Sequence, residues 1–172
     1  MTENTRRVVI TGLGLVSPVG STVNKAWDNI KNGVSGIRKI SSFDASLFSV
    51  QIAGSVIDFN AEDFITPKDQ KKMDTFIHYG IGASVMAIKD AGLEINDENR
   101  DRIGVSIGSG IGGLPYIERN YGNFLEKGPR KISPYFVPSS IINMVSGNLS
   151  IMYGITGPNM SLVSACATGT HS

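Results

Sequence analysis

The stretch that decides the fold is Met160-Ser161-Leu162-Val163-Ser164-Ala165-Cys166-Ala167-Thr168-Gly169-Thr170-His171-Ser172, which contains the only cysteine of the chain. Its apolar beginning is typical of a strand, and the small residues around Cys166 suit a sharp turn into a helix. A backbone N–H group and the positive end of a helix dipole would both stabilise a thiolate there. The pattern therefore predicts a reactive thiol. A lone cysteine is also among the most buried residue types, so a structural role as a small hydrophobe stays open at this point.

The composition is typical of one ordinary globular domain. The chain has 172 residues, of which 41% are hydrophobic and 18% charged, and its net charge is +1. Such a charge does not indicate nucleic-acid binding, so an anionic partner would have to meet a local basic patch. A single cysteine allows no internal disulfide and fits a reducing compartment. The sequence has neither a secretory signal pattern nor an apolar run of about 18 residues, and we expect a cytoplasmic protein that does not span a membrane.

Strand and helix patterns alternate along the chain, which predicts an α/β fold with a mixed sheet. Strands are expected at 7–12, 50–57, 102–108 and from about 159 to Cys166, and residues 35–49 are expected to be irregular. Helices are expected at about 21–32, 66–91, 113–127 and 138–153, the last one opened by Pro138 and ended by Gly154. The helix over 66–91 is expected to break near Asp74. Its small residues Gly80, Gly82, Ala83 and Ala87 would allow close helix packing, although a plain core helix explains them better.

The run Gly108-Ser109-Gly110-Ile111-Gly112-Gly113 matches G-x-G-x-x-G after a predicted strand and before a predicted helix. This context indicates a loop whose bare backbone N–H groups hold a phosphate. The dinucleotide fingerprint also needs an acid at the end of the next strand, whereas Glu126 lies in a helical tail. Glycines that let another backbone pass closely explain the run better, and a nucleotide-binding module is kept as an alternative.

The charged and metal-binding residue types give weaker signals. Lys68, Lys71 and Lys72 share one helical turn, and Arg130 and Lys131 lie in a loop. Such groups are more often solvated faces than binding sites. With no second cysteine and no spaced cluster of histidines and acids, we predict no metal and no cofactor.

Several segments together resemble the β-ketoacyl-[acyl carrier protein] synthases, most closely the elongating synthase II subtype. The segments are 9–20 (VITGLGLVSPVG), 107–113, 128–138 (GPRKISPYFVP), Gly157-Pro158 and the nucleophile motif 164–169 (SACATG). They follow one another in the family's order, and the resemblance extends from Arg6 to Ser172.

The resemblance implies a thiolase-like fold, in which two similar βαβαβ-type halves stack into five layers, α/β/α/β/α. Residues 1–172 would be the N-terminal half. Cys166 would accept an acyl group from acyl carrier protein as a thioester, and its backbone N–H would be one donor of the oxyanion hole. Malonyl-acyl carrier protein would then lose CO2, and the carbanion would attack the thioester to give the 3-oxoacyl product of fatty-acid elongation.

The resemblance also implies roles for residues away from the cysteine. Ile111 and Phe136 would line the acyl pocket, with Ile111 gating chain length, although both would serve equally well as core hydrophobes. The five basic residues would contact the acidic carrier; they are Lys68, Lys71, Lys72, Arg130 and Lys131. The strand before Cys166 would pair across the axis of a homodimer.

One departure from the family pattern is large. The family's two catalytic histidines and its lysine correspond to positions beyond Ser172, and neither His78 nor His171 matches them. We therefore expect residues 1–172 to be part of a protein of about 400 residues, that size being implied by the resemblance, and to be inactive alone. A non-catalytic relative that sets chain length or binds the carrier is a second alternative, beside the nucleotide-binding module.

Overall fold

The computed structural model describes residues 6–172 of the chain. The helices are α1 (Val23–Lys31), α2 (Pro67–Gln70), α3 (Thr75–Asp90), α4 (Leu114–Lys127), α5 (Phe136–Ser140), α6 (Met144–Tyr153) and α7 (Thr168–His171). The strands are β1 (Ile37–Lys39), β2 (Ile52–Gly54), β3 (Val105–Ser106) and β4 (Asn159–Met160). Single 3-10 turns cover Ala61–Asp63, Pro129–Lys131 and Ala165–Ala167. Helices and strands are interspersed along the chain, although they do not strictly alternate as predicted, and the α/β class is confirmed.

The strands form two separate pairs instead of one mixed sheet. Strands β1 and β2 are antiparallel, with Arg38 opposite Ala53. Strands β3 and β4 are parallel, with Val105 opposite Asn159. Because β3 and β4 run in the same direction, the segments that follow them leave from the same edge.

The prediction of a buried strand over 7–12 is wrong. These residues form no ladder, and Val8 and Ile10 are 93% and 83% exposed. β-branched side chains favour an extended backbone, but a strand also needs a partner, and no described segment pairs with this one. The chain instead approaches α3 through two glycines. A Cβ on Gly14 would overlap the carbonyl oxygen of Ala83, so this extended segment lies close against α3. The close helix packing expected on α3 is found at Gly80, where a Cβ would overlap the side chain of Val145 in α6.

The other predicted strands are shorter than expected. The strand over 50–57 is reduced to β2, which lies at an exposed edge as predicted. Its partner β1 lies within residues 35–49, where irregular structure was expected. The strand over 102–108 is reduced to β3, and the strand toward Cys166 to β4. Each shortening has the same cause: a ladder extends only as far as its partner runs beside it.

The helix predictions depend on local caps and agree better. The predicted break near Asp74 is confirmed, because its Oδ1 accepts a 2.5 Å hydrogen bond from the N–H of Thr75 and so caps α3. Its Oδ2 accepts a second bond, 2.6 Å long, from the N–H of Tyr116 in the first turn of α4. Asp74 is 3% exposed. One buried carboxylate therefore holds the beginnings of two helices.

The predicted helix over 138–153 is two helices. Residues 141–143 separate α5 from α6, because Ile141 adopts an extended conformation (φ −80°, ψ 142°). Pro138 was predicted to open the helix, but α5 begins two residues earlier, at Phe136. Pro138 lies in the first turn of α5, where its missing N–H costs no hydrogen bond. Gly154 ends α6 at φ 66°, as predicted for a glycine cap.

The core lies between α3 and α6 and covers the β3–β4 pair. Ile77 and Ile81 of α3 are fully buried, and Val145 of α6 is 2% exposed. The same cluster includes Val105 of β3 and Ile155, which precedes β4. Burial of these side chains fixes the two parallel strands against the helices, and with them the segments that follow each strand.

Asp58 fastens the start of α1 to the loop before α2. Its carboxylate lies 2.6 Å from Lys25 Nζ and accepts a 2.6 Å bond from Ser21 Oγ. These contacts lower the pKa of Asp58 from 3.8 to about 2, and the contact with Lys25 has the largest effect. A carboxyl with a lowered pKa in the folded state stabilises the protein above its unfolded pKa, and this stabilisation is lost as the pH falls toward 2.

We expect Asp58→Asn to lower the free energy of unfolding near pH 6 by about 1 kcal/mol, because solvent screens part of the ~2.5 kcal/mol that the pKa shift represents. The difference from wild type should shrink as the pH is lowered from 5 to 2.5. Urea unfolding at several pH values measures it. Asp97→Asn is the control, since the Asp97 side chain is 89% exposed beside Arg100. A destabilisation by Asp58→Asn that is constant with pH would contradict the prediction.

Candidate active site

The glycine-rich segment and the segment that contains Cys166 meet at the carboxyl ends of β3 and β4. The glycine loop, residues 107–113, follows β3, and the cysteine turn, residues 161–168, follows β4. Ser161 Oγ donates a 2.6 Å hydrogen bond to the carbonyl oxygen of Ile107. The N–H of Ile107 donates to the carbonyl of Met160 across the same edge, over 3.3 Å. The sequence patterns at 108–113 and 164–169 are therefore parts of one site.

Cys166 lies at a turn with an unusual backbone. Ala165, directly before it, has φ 50° and is the only non-glycine residue among 6–172 with a positive φ. This left-handed conformation costs alanine about 1–2 kcal/mol, so neighbouring groups must hold it. The thiol of Cys166 is exposed. A role as a buried hydrophobe is therefore wrong for this cysteine, and the sharp turn expected at this place is confirmed.

Two side chains that follow the cysteine brace the turn. Thr168 Oγ1 accepts a 2.9 Å hydrogen bond from the N–H of Ser164 and donates a 2.7 Å bond to the carbonyl oxygen of Ala165. His171 Nδ1 lies 2.7 Å from Ser164 Oγ. The partner of this histidine ring is therefore the serine. Thr168 was not predicted at all; the available signal was a hydroxyl four residues after Ser164, a spacing at which threonine bonds local backbone.

The glycine loop packs directly on the cysteine turn. A Cβ on Gly108 would overlap Thr168 Cγ2 and the carbonyl oxygen of Leu162, and would lie 2.6 Å from Ser172 Oγ. A Cβ on Gly110 would lie 3.4 Å from the carbonyl oxygen of Ala165. These glycines are thus explained by the close approach of another backbone.

Two N–H groups of this loop are also engaged within the protein. Gly112 donates to Ser109 Oγ over 3.1 Å, and Gly113 donates to the carbonyl oxygen of Ser140 over 2.9 Å. Gly112 has φ 90°, where a side chain would be strained. A phosphate-binding loop would need such N–H groups directed at the ligand. The contacts do not favour the nucleotide-binding alternative.

Ile111 and Phe136 lie on segments joined by the Gly113–Ser140 bond. Ile111 is 73% exposed, so it is not a core hydrophobe. Phe136 is half-buried and lines a cavity of about 300 Å3. The other lining residues are Ile117, Asn120, Tyr121, Phe124 and Ile132. Ile111 is not among them, so the acyl-pocket roles of the two side chains stay predictions.

The predicted basic residues lie on two surface segments. Lys68 and Lys71 are exposed at α2, and Arg130 and Lys131 are exposed on the 3-10 turn after α4. The ion pairs found among residues 6–172 do not involve these four. The remaining member is Lys72, whose Nζ lies 2.7 Å from Asp69. That contact raises the pKa of Lys72 and lowers that of Asp69.

Lys72 also connects the lysines at α2 to the region that follows Arg130 and Lys131. Its backbone carbonyl accepts a 2.6 Å bond from Ser139 Oγ of α5. Lys72 and Tyr135 line one cavity of about 490 Å3. The positive segments at α2 and at the 3-10 turn are thus linked through α5.

The residues described offer no site for a metal and no helix that would cross a membrane. Across 6–172, histidine, cysteine, aspartate and glutamate side chains do not converge in groups of three that would bind a metal ion. The helices in this range are also too short or too polar to span a bilayer.

His78 lies 3.2 Å from the carbonyl oxygen of Gln70, and burial lowers the pKa of its ring. Its side chain is partly buried.

The chain is similar to known proteins of one family. The sequence model "Beta-ketoacyl synthase, N-terminal domain" matches residues 5–172. A 3-oxoacyl-[acyl-carrier-protein] synthase 2 of Vibrio harveyi is 55% identical over 97% of the chain, and the match covers 40% of that protein. The chain thus spans less than half the length of this relative.

Solved structures show the same fold. A β-ketoacyl synthase from Burkholderia phymatum superposes with a TM-score of 0.78 at 26% identity, over 97% of this chain and 41% of the other. A structure of a type II PKS acyl-carrier protein in complex with its ketosynthase gives a TM-score of 0.77 at 25% identity, over 97% and 44%. These ketosynthase neighbours confirm the thiolase-like fold class.

Proposed function

The chain belongs to the β-ketoacyl synthase family, and we propose that it carries the acyl-accepting nucleophile of a fatty-acid-elongating acyltransferase. In this proposal residues 1–172 are the N-terminal thiolase-like half, and the whole reaction belongs to the protein that contains them. The observation that carries the proposal is the exposed thiol of Cys166 on a strained turn at the carboxyl ends of two parallel strands. No cofactor is part of the proposal.

Cys166 begins the reaction as a thiolate. Its sulfur attacks the thioester carbonyl of acyl-[acyl carrier protein], the bond from that carbonyl to the carrier's sulfur breaks, and the carrier leaves as a thiol after taking up a proton. The Cys166 N–H donates to the oxygen that becomes negative during the attack. The product is an acyl-cysteine thioester.

The second half-reaction forms the new carbon–carbon bond. Malonyl-[acyl carrier protein] loses CO2, the resulting carbanion attacks the acyl-cysteine carbonyl, and the Cys166 thiolate is released with 3-oxoacyl-[acyl carrier protein]. Neither His78 nor His171 corresponds to the family's decarboxylation residues. His78 bonds Gln70 and His171 bonds Ser164, so we assign neither of them to this step.

The partners follow from the same proposal. Lys68, Lys71, Lys72, Arg130 and Lys131 would receive an acidic acyl carrier protein. Ile111 and Phe136 would contact the acyl chain. The segment after β4 would pair across a homodimer axis, and its exposed apolar side chains Leu162 and Val163 support this. A cytoplasmic location stays a prediction.

Charge reversal tests the carrier surface. We expect Lys68→Glu combined with Lys71→Glu to raise KM for acyl-[acyl carrier protein] about tenfold and to leave kcat within about twofold, because the charges act on docking and not on chemistry. Lys89→Glu, at the last turn of α3, is the matched control and should change neither constant. An unchanged KM for the double variant at low salt would contradict a carrier surface at α2.

Acyl trapping tests the function itself. The protein is incubated with acyl-[acyl carrier protein] in the absence of malonyl substrate, and its intact mass is measured. The mass should rise by one acyl group, located on the peptide that contains Cys166. A protein that binds carrier but gains no acyl group would be the non-catalytic relative.

A further inference from the structure

We propose that Thr168 is a positioning residue for Cys166. Its hydroxyl group holds the strained turn directly before the cysteine. This inference rests on the proposed function, because it assigns the threonine a part in presenting the nucleophile. Thr168 touches no reacting atom in this assignment.

The hydroxyl group of Thr168 spans the strained residue. It accepts from the N–H of Ser164 over 2.9 Å and donates to the carbonyl oxygen of Ala165 over 2.7 Å. The first group precedes the Ser164 Cα and the second directly follows the Ala165 Cα, so the two bonds enclose Ala165, where φ is 50°. Since alanine does not favour this conformation, the pair of bonds helps to hold it. The direction in which the chain enters Cys166 depends on that conformation.

The methyl group of Thr168 is used as well. Thr168 is 5% exposed, and its Cγ2 lies against Gly108, where a Cβ would overlap it. A β-branched side chain has few χ1 rotamers, so packing of the methyl group fixes where the hydroxyl points. Thr168 therefore attaches the cysteine turn to the glycine loop.

The hydroxyl does not act as a helix cap. Thr168 is the first residue of α7, whose N-cap position, Ala167, makes no side-chain bond. The Thr168 hydroxyl bonds backward, to residues 164 and 165, and leaves the α7 N–H groups alone. Its loss would therefore change the turn before Cys166 and not the start of the helix.

Two substitutions separate the hydroxyl from the shape of the side chain. Thr168→Val keeps the branched volume and removes the hydroxyl, whereas Thr168→Ser keeps the hydroxyl and removes the methyl. Both substitutions are made in the full-length protein that contains these residues. The deciding readout is the rate at which iodoacetamide alkylates Cys166 at pH 7, counted per folded molecule. It reports on the thiolate and needs no carrier substrate.

We expect Thr168→Val to slow alkylation about tenfold and Thr168→Ser to stay within about threefold of wild type. In turnover with acyl-[acyl carrier protein], Thr168→Val should lower kcat by about 10- to 100-fold with KM nearly unchanged, because a misplacement of about 1 Å costs that much in rate. A residue with only a structural role would lower the unfolding midpoint and leave kcat per folded molecule unchanged.

The proposal is overturned if Thr168→Val and wild type are alkylated at the same rate, or if Thr168→Ser is as slow as Thr168→Val. If Thr168→Val does not fold, Thr168→Ala replaces it, since alanine and serine differ only by the hydroxyl. A wild-type protein that never accepts an acyl group would refute the proposed function alone, because the alkylation rates would still decide the role of Thr168.

Discussion

Cys166→Ala is expected to lower the transfer of acyl groups from acyl carrier protein at least about 10³-fold, with no acyl-protein detectable by intact mass. Cys166→Ser should be nearly as inactive, because an alcohol is far less acidic than a thiol and no histidine among residues 6–172 bonds residue 166 to take its proton. Within this range the ring of His171 is bonded to Ser164 and that of His78 to Gln70. Radiolabelled acyl-carrier substrate measures the residual transfer.

The loss should not come from unfolding. Cys166 is exposed and makes no side-chain hydrogen bond among residues 6–172, so both variants should keep the free energy of unfolding within about 0.5 kcal/mol of wild type. Acylation that persists at wild-type rate in Cys166→Ala would place the acyl group on another residue and contradict the assignment.

Gly108→Ala should strongly destabilise the protein. The new Cβ would meet the backbone at Leu162 and the side chain of Thr168, both held in place by the cysteine turn. Overpacking against fixed atoms costs about 1–3 kcal/mol, and we expect the upper end. Acyl transfer should fall as well, because relief of the overlap moves the turn before Cys166. Urea unfolding and acyl trapping measure the two effects.

Gly122→Ala is the matched control. Gly122 lies within α4, and a Cβ there would have no heavy atom within 4 Å. Alanine has the higher helix propensity, so this variant should raise the free energy of unfolding by about 0.5–1 kcal/mol. Equal effects of the two alanines would mean that the glycine loop does not pack tightly on the cysteine turn.

Features encoded by neighbouring residues were predictable from the sequence. The break at Asp74 and the end of α6 at Gly154 each depend on one residue and the turn beside it, and both are confirmed. The candidate site was predictable for a different reason. Its motifs at 108–113 and 164–169 resemble those of a known family, and the parallel strands bring these two motifs together.

Features that depend on distant partners were not predictable in this way. Residues 7–12 have the composition of a strand, but strand formation requires a neighbour that sequence pattern does not specify. The apolar stripe over 138–153 is continuous in the sequence, but the extended conformation of Ile141 separates α5 from α6. No local sequence pattern predicts that conformation. Thr168 was missed because its two backbone bonds belong to the turn at Ala165, whose left-handed conformation the sequence pattern does not specify.

The carboxylate shared by α3 and α4 restricts which amino acids residue 74 can be. Both of its partners, the N–H groups of Thr75 and Tyr116, are donors, so the side chain must present two acceptors. Asparagine has the same shape but one acceptor and one amino group, and it would set a donor against a donor in a buried place. Glutamate would have the acceptors on a longer stem. Substitutions that are usually counted as conservative are therefore unfavourable at residue 74.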